Sequence, residues 1–208
     1  MYVVGLTGGI ASGKTEVATV FTQRGAEIVD ADQVARDVVR PGTPTWHKVI
    51  EHFGDEVLGP DGELHRAALG RIVFSDPAKR TLLNELTHPA VFAGIAERLE
   101  ALAPFDGVVV LSVPLLVETG QERACQAVVV VTSPRDAQLR RLVERRGLSP
   151  SEARARVDAQ ADDERRLSVA THVVRNDGTL GELHERAGAV FDELEAQARA
   201  VVRRAPRT

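Results

Sequence analysis

Runs of consecutive apolar residues alternate along this chain with stretches where apolar residues recur every three to four positions. That alternation predicts short strands separated by helices. Tyr2-Val3-Val4, Ala26 to Val29, Val108 to Leu111, Ala127 to Val131 and Val173-Val174 read as strands, with bounds near 3–7, 27–30, 108–112, 127–131 and 172–175. The third and fourth are apolar at every position, as suits strands covered on both faces of a parallel sheet. Between them, Val17, Ala18, Val20 and Phe21 keep one helical face until Gly25, a residue suited to the left-handed position past a helix end. Val34, Ala35, Val38 and Val39 form the next helical face, which stops at Pro41-Gly42. Asn176-Asp177-Gly178 makes a turn before a closing amphipathic helix from Leu180 to about Val202, and Arg203 to Thr208 read as a frayed tail.

Residues 43–104 have a different texture, with helical patterns and no convincing strand. Trp46, Val49, Ile50 and Phe53 recur at i, i+3, i+4 and i+7, and Gly59-Pro60-Asp61-Gly62 is a turn. Leu69, Ile72 and Val73 mark a second helix. Asp76-Pro77 opens a third as N-cap and first residue, and Thr87-His88-Pro89 interrupts it before Val91, Phe92, Ile95 and Leu99. Past the fourth strand, Ser133-Pro134-Arg135-Asp136 and Ser149-Pro150-Ser151-Glu152 both have the form of capping boxes opening arginine-rich helices. The chain therefore reads as one α/β domain over 1–208 with five parallel strands. Its core covers about 1–42, 105–133 and 167–202, a helical insertion covers about 43–104, and a helical lid covers about 134–166. Right-handed crossovers place strand 3–7 centrally between 108–112 and 127–131, with 27–30 and 172–175 outermost.

Composition narrows the class of partner. At 208 residues and 43% hydrophobic, the chain can bury a sizeable core. A net charge of −4 and a pI near 5.9 give no basic field for nucleic acid, so any anion must be met by a local cluster. Cys125 is the single cysteine, which excludes an internal disulfide; it reads as a buried small hydrophobe in a protein of the reducing cytoplasm. No segment approaches 18 uncharged apolar residues and the N-terminus lacks the features of a secretion signal, so neither membrane spanning nor export is expected.

The chemistry starts at Gly8-Gly9-Ile10-Ala11-Ser12-Gly13-Lys14-Thr15, which follows the first strand and matches G-x-x-x-x-G-K-[ST]. The glycines let successive N–H groups turn toward a polyphosphate at the start of a helix whose dipole also favours negative charge. Lys14 is then positioned for the β- and γ-phosphates and Thr15 for a magnesium ion. Lysine is scarce, three against 23 arginines, so its presence in this slot is informative. The chain lacks the N-K-x-D of a guanine-reading switch, and Val108 to Leu111 runs into Ser112-Val113-Pro114 where motor ATPases usually place an acid. A small-molecule kinase needs an acid to orient the acceptor hydroxyl, arginines for the transferring group and an acceptor pocket. Asp30 and Asp32 end the second strand, at the edge where open α/β sheets bind ligands, and at least one of them is suited to cap the next helix. Arg141 and Arg145, spaced i, i+4, share a helix face fit for a lid, whereas Arg140, Arg146, Arg154 and Arg156 read as a solvated face. His88 before Pro89 reads first as a hydrogen bonder at a helix junction. Glu118 lies among apolar residues, where an unpaired carboxylate is costly. Trp46 and the phenylalanines read as core.

These features together resemble the dephospho-CoA kinase family over nearly the whole chain. The resemblance rests on Gly5-Leu6-Thr7-Gly8-Gly9-Ile10, Asp30-Ala31-Asp32 with Ala35-Arg36, Arg66-x-x-Leu69 with Val73-Phe74, and Thr87-His88-Pro89. It continues through Val113-Pro114-Leu115-Leu116-x-Glu118, Gln138-x-x-Arg141-Leu142-x-x-Arg145, Ala159-Gln160 and Asn176-x-Gly178. It implies a P-loop fold and transfer of the γ-phosphate of ATP to the ribose 3′-hydroxyl of dephospho-CoA, with Mg2+ and no obligate protein partner, nucleic acid or membrane. Asp32, Lys14 and Arg141 are the implied catalytic groups. ATP is implied on Gly9, Ile10, Ala11, Ser12, Gly13, Lys14, Thr15 and Glu16, with Arg141 and Arg145 of the lid and Asn176 and Gly178 of the adenine loop; Thr15 is the implied metal ligand. Thr7, Asp32, Arg36, His88, Leu115, Leu116 and Glu118 fall where the family lines its acceptor site. Departures from the family pattern are Ala11 for a common loop glycine, Thr15 for serine, Val117 for an aromatic residue, His65 for an acid before Arg66 and Thr171 for an acid in the final strand. Another small-molecule kinase, or a regulatory module that binds nucleotide without turnover, shares the loop and the arginines; the Thr-His-Pro and Pro-Leu-Leu-x-Glu segments argue against the first.

Overall fold

The computed structural model describes residues 1–160 and 163–204, and side chains through residue 201. Residues 161 and 162 of the expected lid and the tail from 205 lie outside the described residues. β1 (Tyr2–Gly8), β2 (Glu27–Asp30), β3 (Val108–Ser112), β4 (Ala127–Thr132) and β5 (His172–Arg175) form a five-stranded parallel sheet in the order β2-β3-β1-β4-β5. This is the expected order. β1 is central, with Tyr2 to Leu6 opposite Val108 to Ser112 on one side and Val4 to Gly8 opposite Ala127 to Val131 on the other. β5 aligns Val129 with His172 through Thr132 with Arg175. The helices are α1 (Lys14–Gln23), α2 (Ala31–Asp37), α3 (Pro44–Phe53), α4 (Arg66–Ser75), α5 (Pro77–Ala101), α6 (Arg135–Arg146), α7 (Pro150–Asp158), α8 (Asp163–Leu167) and α9 (Leu180–Arg204).

The described residues group into two compact units, Met1–Val29 with the chain from Leu102 onward, and Asp30–Ala101. The first unit holds the main core: every residue of β1 is buried, and Val17 and Phe21 of α1 meet Leu183, Ala187 and Phe191 of α9. The Phe21 and Phe191 rings lie 5.4 Å apart. Burying each such side chain contributes about 1.5–3 kcal/mol, so this layer fixes where β1 ends and α1 begins. The second unit is helical apart from an isolated antiparallel bridge between Leu58 and Leu64, and its core joins Val49, Phe53 and Val57 to Leu69, Ile72, Val73, Leu82 and Leu83.

Local signals mostly set the helix ends. Thr43 caps α3, Asp76 accepts the N–H groups of Ala78 and Lys79 at the start of α5, and Ser149 with Glu152 forms a complete capping box on α7. Three expectations are corrected. Pro89 does not interrupt α5, which runs for 25 residues through it. A proline inside a helix costs about 3 kcal/mol, and the packing on both sides of it, Leu82, Leu83 and Leu86 before and Ile95 after, outweighs that. Ser133 does not cap α6; its hydroxyl instead donates to the Asn176 carbonyl at 2.9 Å. Phe74 and Phe92 are not core, being 86% and 43% exposed. Ile72 and Val73 already turn α4 inward, and the next helical position faces away. Trp46 is half-buried, with Nε1 donating to the Gly62 carbonyl.

Candidate active site

The loop between β1 and α1 is pulled tight by a hydrogen bond from the Ser12 N–H to the Gly9 carbonyl at 3.0 Å. Gly13 has a φ of 99°, and a Cβ on it would stand 2.3 Å from Asn176 Nδ2, so both conformation and space demand glycine there. Ala11 is also left-handed, with a φ of 57°. A side chain in this region costs on the order of 1 kcal/mol. Ala11→Gly is therefore expected to raise the melting temperature by about 2–4 °C in calorimetry; an unchanged or lower melting temperature would show that the loop holds Ala11 without strain.

Side chains from distant elements converge on this loop. Lys14, at the start of α1, donates from Nζ to Ser112 Oγ at the end of β3 at 2.6 Å. The Ile10 N–H donates to Gln160 Oε1 at 2.6 Å. Arg141 reaches from α6 to the Ala11 carbonyl at 3.0 Å, Ser133 Oγ at 2.9 Å and Asn176 Oδ1 at 2.9 Å. Asn176 in turn donates from Nδ2 to the Ser12 carbonyl at 2.7 Å. The Asn176 amide thus ties Arg141 and the loop together. Arg145, one turn further along α6, is exposed. Burial lowers the pKa of Arg141, and the charges of Arg145 and Arg140 lower it further; an anion brought to this face would relieve that concentration of charge.

A second arginine at the loop was not among the expected site residues. Arg166 of α8 is 2% exposed, with Nη1 on Asp163 at 3.0 Å and Nη2 on Glu118 at 3.4 Å. It borders the first turn of the loop: a Cβ on Gly9 would lie 3.7 Å from Arg166 Nη1, 3.4 Å from Gln160 Oε1 and 3.1 Å from Gln138 Nε2. Among the described residues, Arg166 Nε, Glu118 Oε2 and Ser12 Oγ are buried without hydrogen-bond partners. Each buried polar atom left unpaired costs about 1–3 kcal/mol. Half of this feature was legible in the sequence, since Glu118 among apolar residues called for a partner; which arginine answers was not.

The remaining residues sort by position. Thr7 is buried and donates to the Pro114 carbonyl at 3.2 Å. Leu116 is buried under β1, whereas Leu115 beside it is 51% exposed. Thr15 is exposed at the first turn of α1, and Glu16 faces His184 at 3.8 Å. Gly178 precedes α9, whose start is capped by Thr179 and Glu182. Cys125 is half-buried, and burial, with the nearby Glu122 charge, pushes its thiol up to about 11, so it stays a protonated, poor nucleophile. In the helical unit, Asp30 caps α2 by accepting the Asp32 N–H at 2.9 Å, which leaves the exposed Asp32 carboxylate free of capping duty. Arg36 is exposed one turn along α2, and the His88 ring packs on Phe92 with centroids 5.7 Å apart.

This constellation surrounds the loop after the central strand of a parallel sheet, and comparison with known proteins gives the chain a family. The family model CoaE, dephospho-CoA kinase, matches residues 2–182. A dephospho-CoA kinase of Streptomyces avermitilis is 49% identical over 194 residues, covering 93% of this chain and 94% of that protein. One from Arabidopsis thaliana is 45% identical over 93% of this chain and 84% of that protein. Among solved structures, TT1252 from Thermus thermophilus superposes with a TM-score of 0.80 at 37% identity, covering 93% of this chain and 97% of that one. The dephospho-CoA kinase from Campylobacter jejuni gives 0.67 at 25% identity, with the same coverages. With a family model matched over most of its length and relatives near half identical along it, the chain belongs to the dephospho-CoA kinase family.

Proposed function

We propose that this chain transfers the γ-phosphoryl group of ATP to the ribose 3′-hydroxyl of dephospho-CoA, giving coenzyme A and ADP. The observation that carries this reading is the convergence of Lys14, Arg141 and the buried Arg166 on one glycine-rich loop at the start of α1, in a chain of this family. Phosphoryl transfer asks little covalent chemistry of a protein; positioning and charge neutralisation supply most of the rate. Backbone N–H groups of residues 9–16 cradle the phosphates, with the α1 dipole behind them. Lys14 follows the charge of the β- and γ-phosphates, and Ser112 holds its ammonium until they arrive. Arg141 neutralises charge on the transferring group, assisted by Arg145, while Asn176 and Gly178 shape the nucleotide side of the loop. In the helical unit, Asp32 takes or orients the acceptor proton, and Arg36 and His88 bind the acceptor.

The Thr15 hydroxyl is a hard oxygen donor at the first turn of α1. That donor set fits Mg2+, which is commonly held by phosphate oxygens, waters and one or two protein oxygens. Mg2+ bound there would draw charge from the β- and γ-phosphates. No helix among the described residues is long and apolar enough to cross a membrane.

Coupled measurement of ADP release, with and without dephospho-CoA, tests the reaction. Release is expected to rise at least about tenfold when the acceptor is added, because a positioned hydroxyl outcompetes water for the phosphoryl group. Tight ATP binding with no acceptor-dependent release, or faster release with a different hydroxyl acceptor, would sink the reading.

A further inference from the structure

Three polar side chains from elements beyond β4 wall the first turn of the loop, at Gly9: Gln138 of α6, Gln160 after α7 and Arg166 of α8. Each has an atom within 4 Å of where a Cβ on Gly9 would stand. Gly9 is not among the glycines with positive φ, so its missing side chain matters here as space rather than as conformation. The Ile10 N–H, next along the turn, binds Gln160 Oε1 at 2.6 Å. An amide N–H and a guanidinium are thus brought together beside Gly9.

Arg166 heads the fully buried side chains by size, and its charge is permanent. A charge in the interior is costly unless it is paired and its N–H groups find acceptors. Here the pairing is incomplete. Glu118 Oε1 stands 3.4 Å from Nη2, where a charge-assisted contact closes to about 2.7–2.9 Å. Glu118 Oε2 and Arg166 Nε are buried without hydrogen-bond partners, and Asp163, at 3.0 Å from Nη1, is 44% exposed. A buried guanidinium so short of acceptors keeps capacity for an anion.

The loop has two ends. Asn176 abuts Gly13 at the α1 end, where a Cβ would meet its amide, and Arg166 abuts Gly9 at the β1 end. A polyphosphate laid along the loop from a nucleoside on the Asn176 side brings its last phosphorus to Gly9. We propose that Arg166 binds the γ-phosphoryl group of ATP and sets the preference of the loop for a triphosphate over a diphosphate, with Glu118 compensating the guanidinium charge. The inference rests on the ATP reading above. ADP ends one phosphorus short, so it keeps the contacts at Gly13 and Lys14 and lacks the one at Arg166. The planar fork of arginine suits two oxygens of one phosphoryl group.

Calorimetric titration of the full chain with ADP and with the β,γ-imido analogue of ATP, both in Mg2+ buffer, tests this. The quantity read is the ratio of the two dissociation constants. Arg166→Met combined with Glu118→Gln removes both buried charges at once, and the Asp163 carboxylate left behind is exposed to water. That double variant is expected to lose the preference for the analogue by about tenfold or more, the usual loss for one charge-assisted contact, with ADP affinity within threefold of wild type. Arg166→Lys, which keeps the charge and loses the fork, should fall between wild type and the double variant. Glu118→Gln alone should retain at least the wild-type ratio, because removing a carboxylate strengthens the positive field at Gly9. A thermal melt on each variant reports the fold. An unchanged ratio in the double variant overturns the assignment, as does a parallel loss of both ligands, which would make Arg166 a brace of the loop. If the double variant is too unstable to titrate, Arg166→Lys decides, and a wild-type ratio there overturns the assignment equally. No arm uses the acceptor, so a chain that binds the analogue and does not phosphorylate dephospho-CoA overturns the activity reading alone, while the ratio still decides Arg166.

Discussion

Replacing Lys14 with alanine is expected to lower kcat by about 10²-fold or more while the chain stays folded. Contacts to charge that moves during reaction are commonly worth about 3–4 kcal/mol in the barrier, and each 1.4 kcal/mol is tenfold in rate. Lys14 contributes such a charge at the loop, held by Ser112 Oγ at 2.6 Å. Alanine is the strongest helix former and Lys14 is the first residue of α1, so the variant loses an ammonium group without losing the helix. Kinetics with circular dichroism on the same preparation decides the matter: a folded variant that keeps more than about a tenth of the wild-type kcat contradicts the role of Lys14. Ser112→Ala should have a smaller effect, because the lysine keeps its charge and loses only the Ser112 hydrogen bond.

Asp32→Asn should also lower kcat by about 10²-fold or more, with little change in acceptor affinity, which is the usual worth of a positioned general base. Asparagine keeps the shape and the helix position and removes only the proton acceptor. The contrast with Asp30 makes this sharp. Asp30 carries the capping hydrogen bond to the Asp32 N–H, so Asp30→Ala should cost about 1 kcal/mol of stability and leave kcat largely intact. Kinetics and thermal melts on both variants separate the two carboxylates. An Asp32→Asn chain with near wild-type kcat and a clearly lower melting temperature would reverse their roles.

The sequence by itself determined the sheet, the loop and most helix starts. The all-apolar runs of β3 and β4 can sit only inside a covered parallel sheet, and contiguous motifs such as Gly8 to Thr15 and Ser149 to Glu152 act through atoms a few residues apart. Where a local signal competed with packing, packing won: α5 runs through Pro89, and Ser133 gives up its capping form for the Asn176 carbonyl. Which side chain meets which along the inner wall of the loop was beyond the sequence. Ser112 meets Lys14 across 98 positions, Gln160 meets Ile10 across 150, and Asn176 meets Ser12 across 164. No periodicity or motif carries information over such separations, because those contacts exist only once the sheet has brought the ends of β1 and β3 side by side and the helices have packed onto it. The tertiary structure likewise decided that Arg166, one of 23 arginines, is the one buried against Glu118, and that Arg36 and Arg66 share a cleft. Charge type is written in the chain, whereas burial and partnership are properties of the packed molecule.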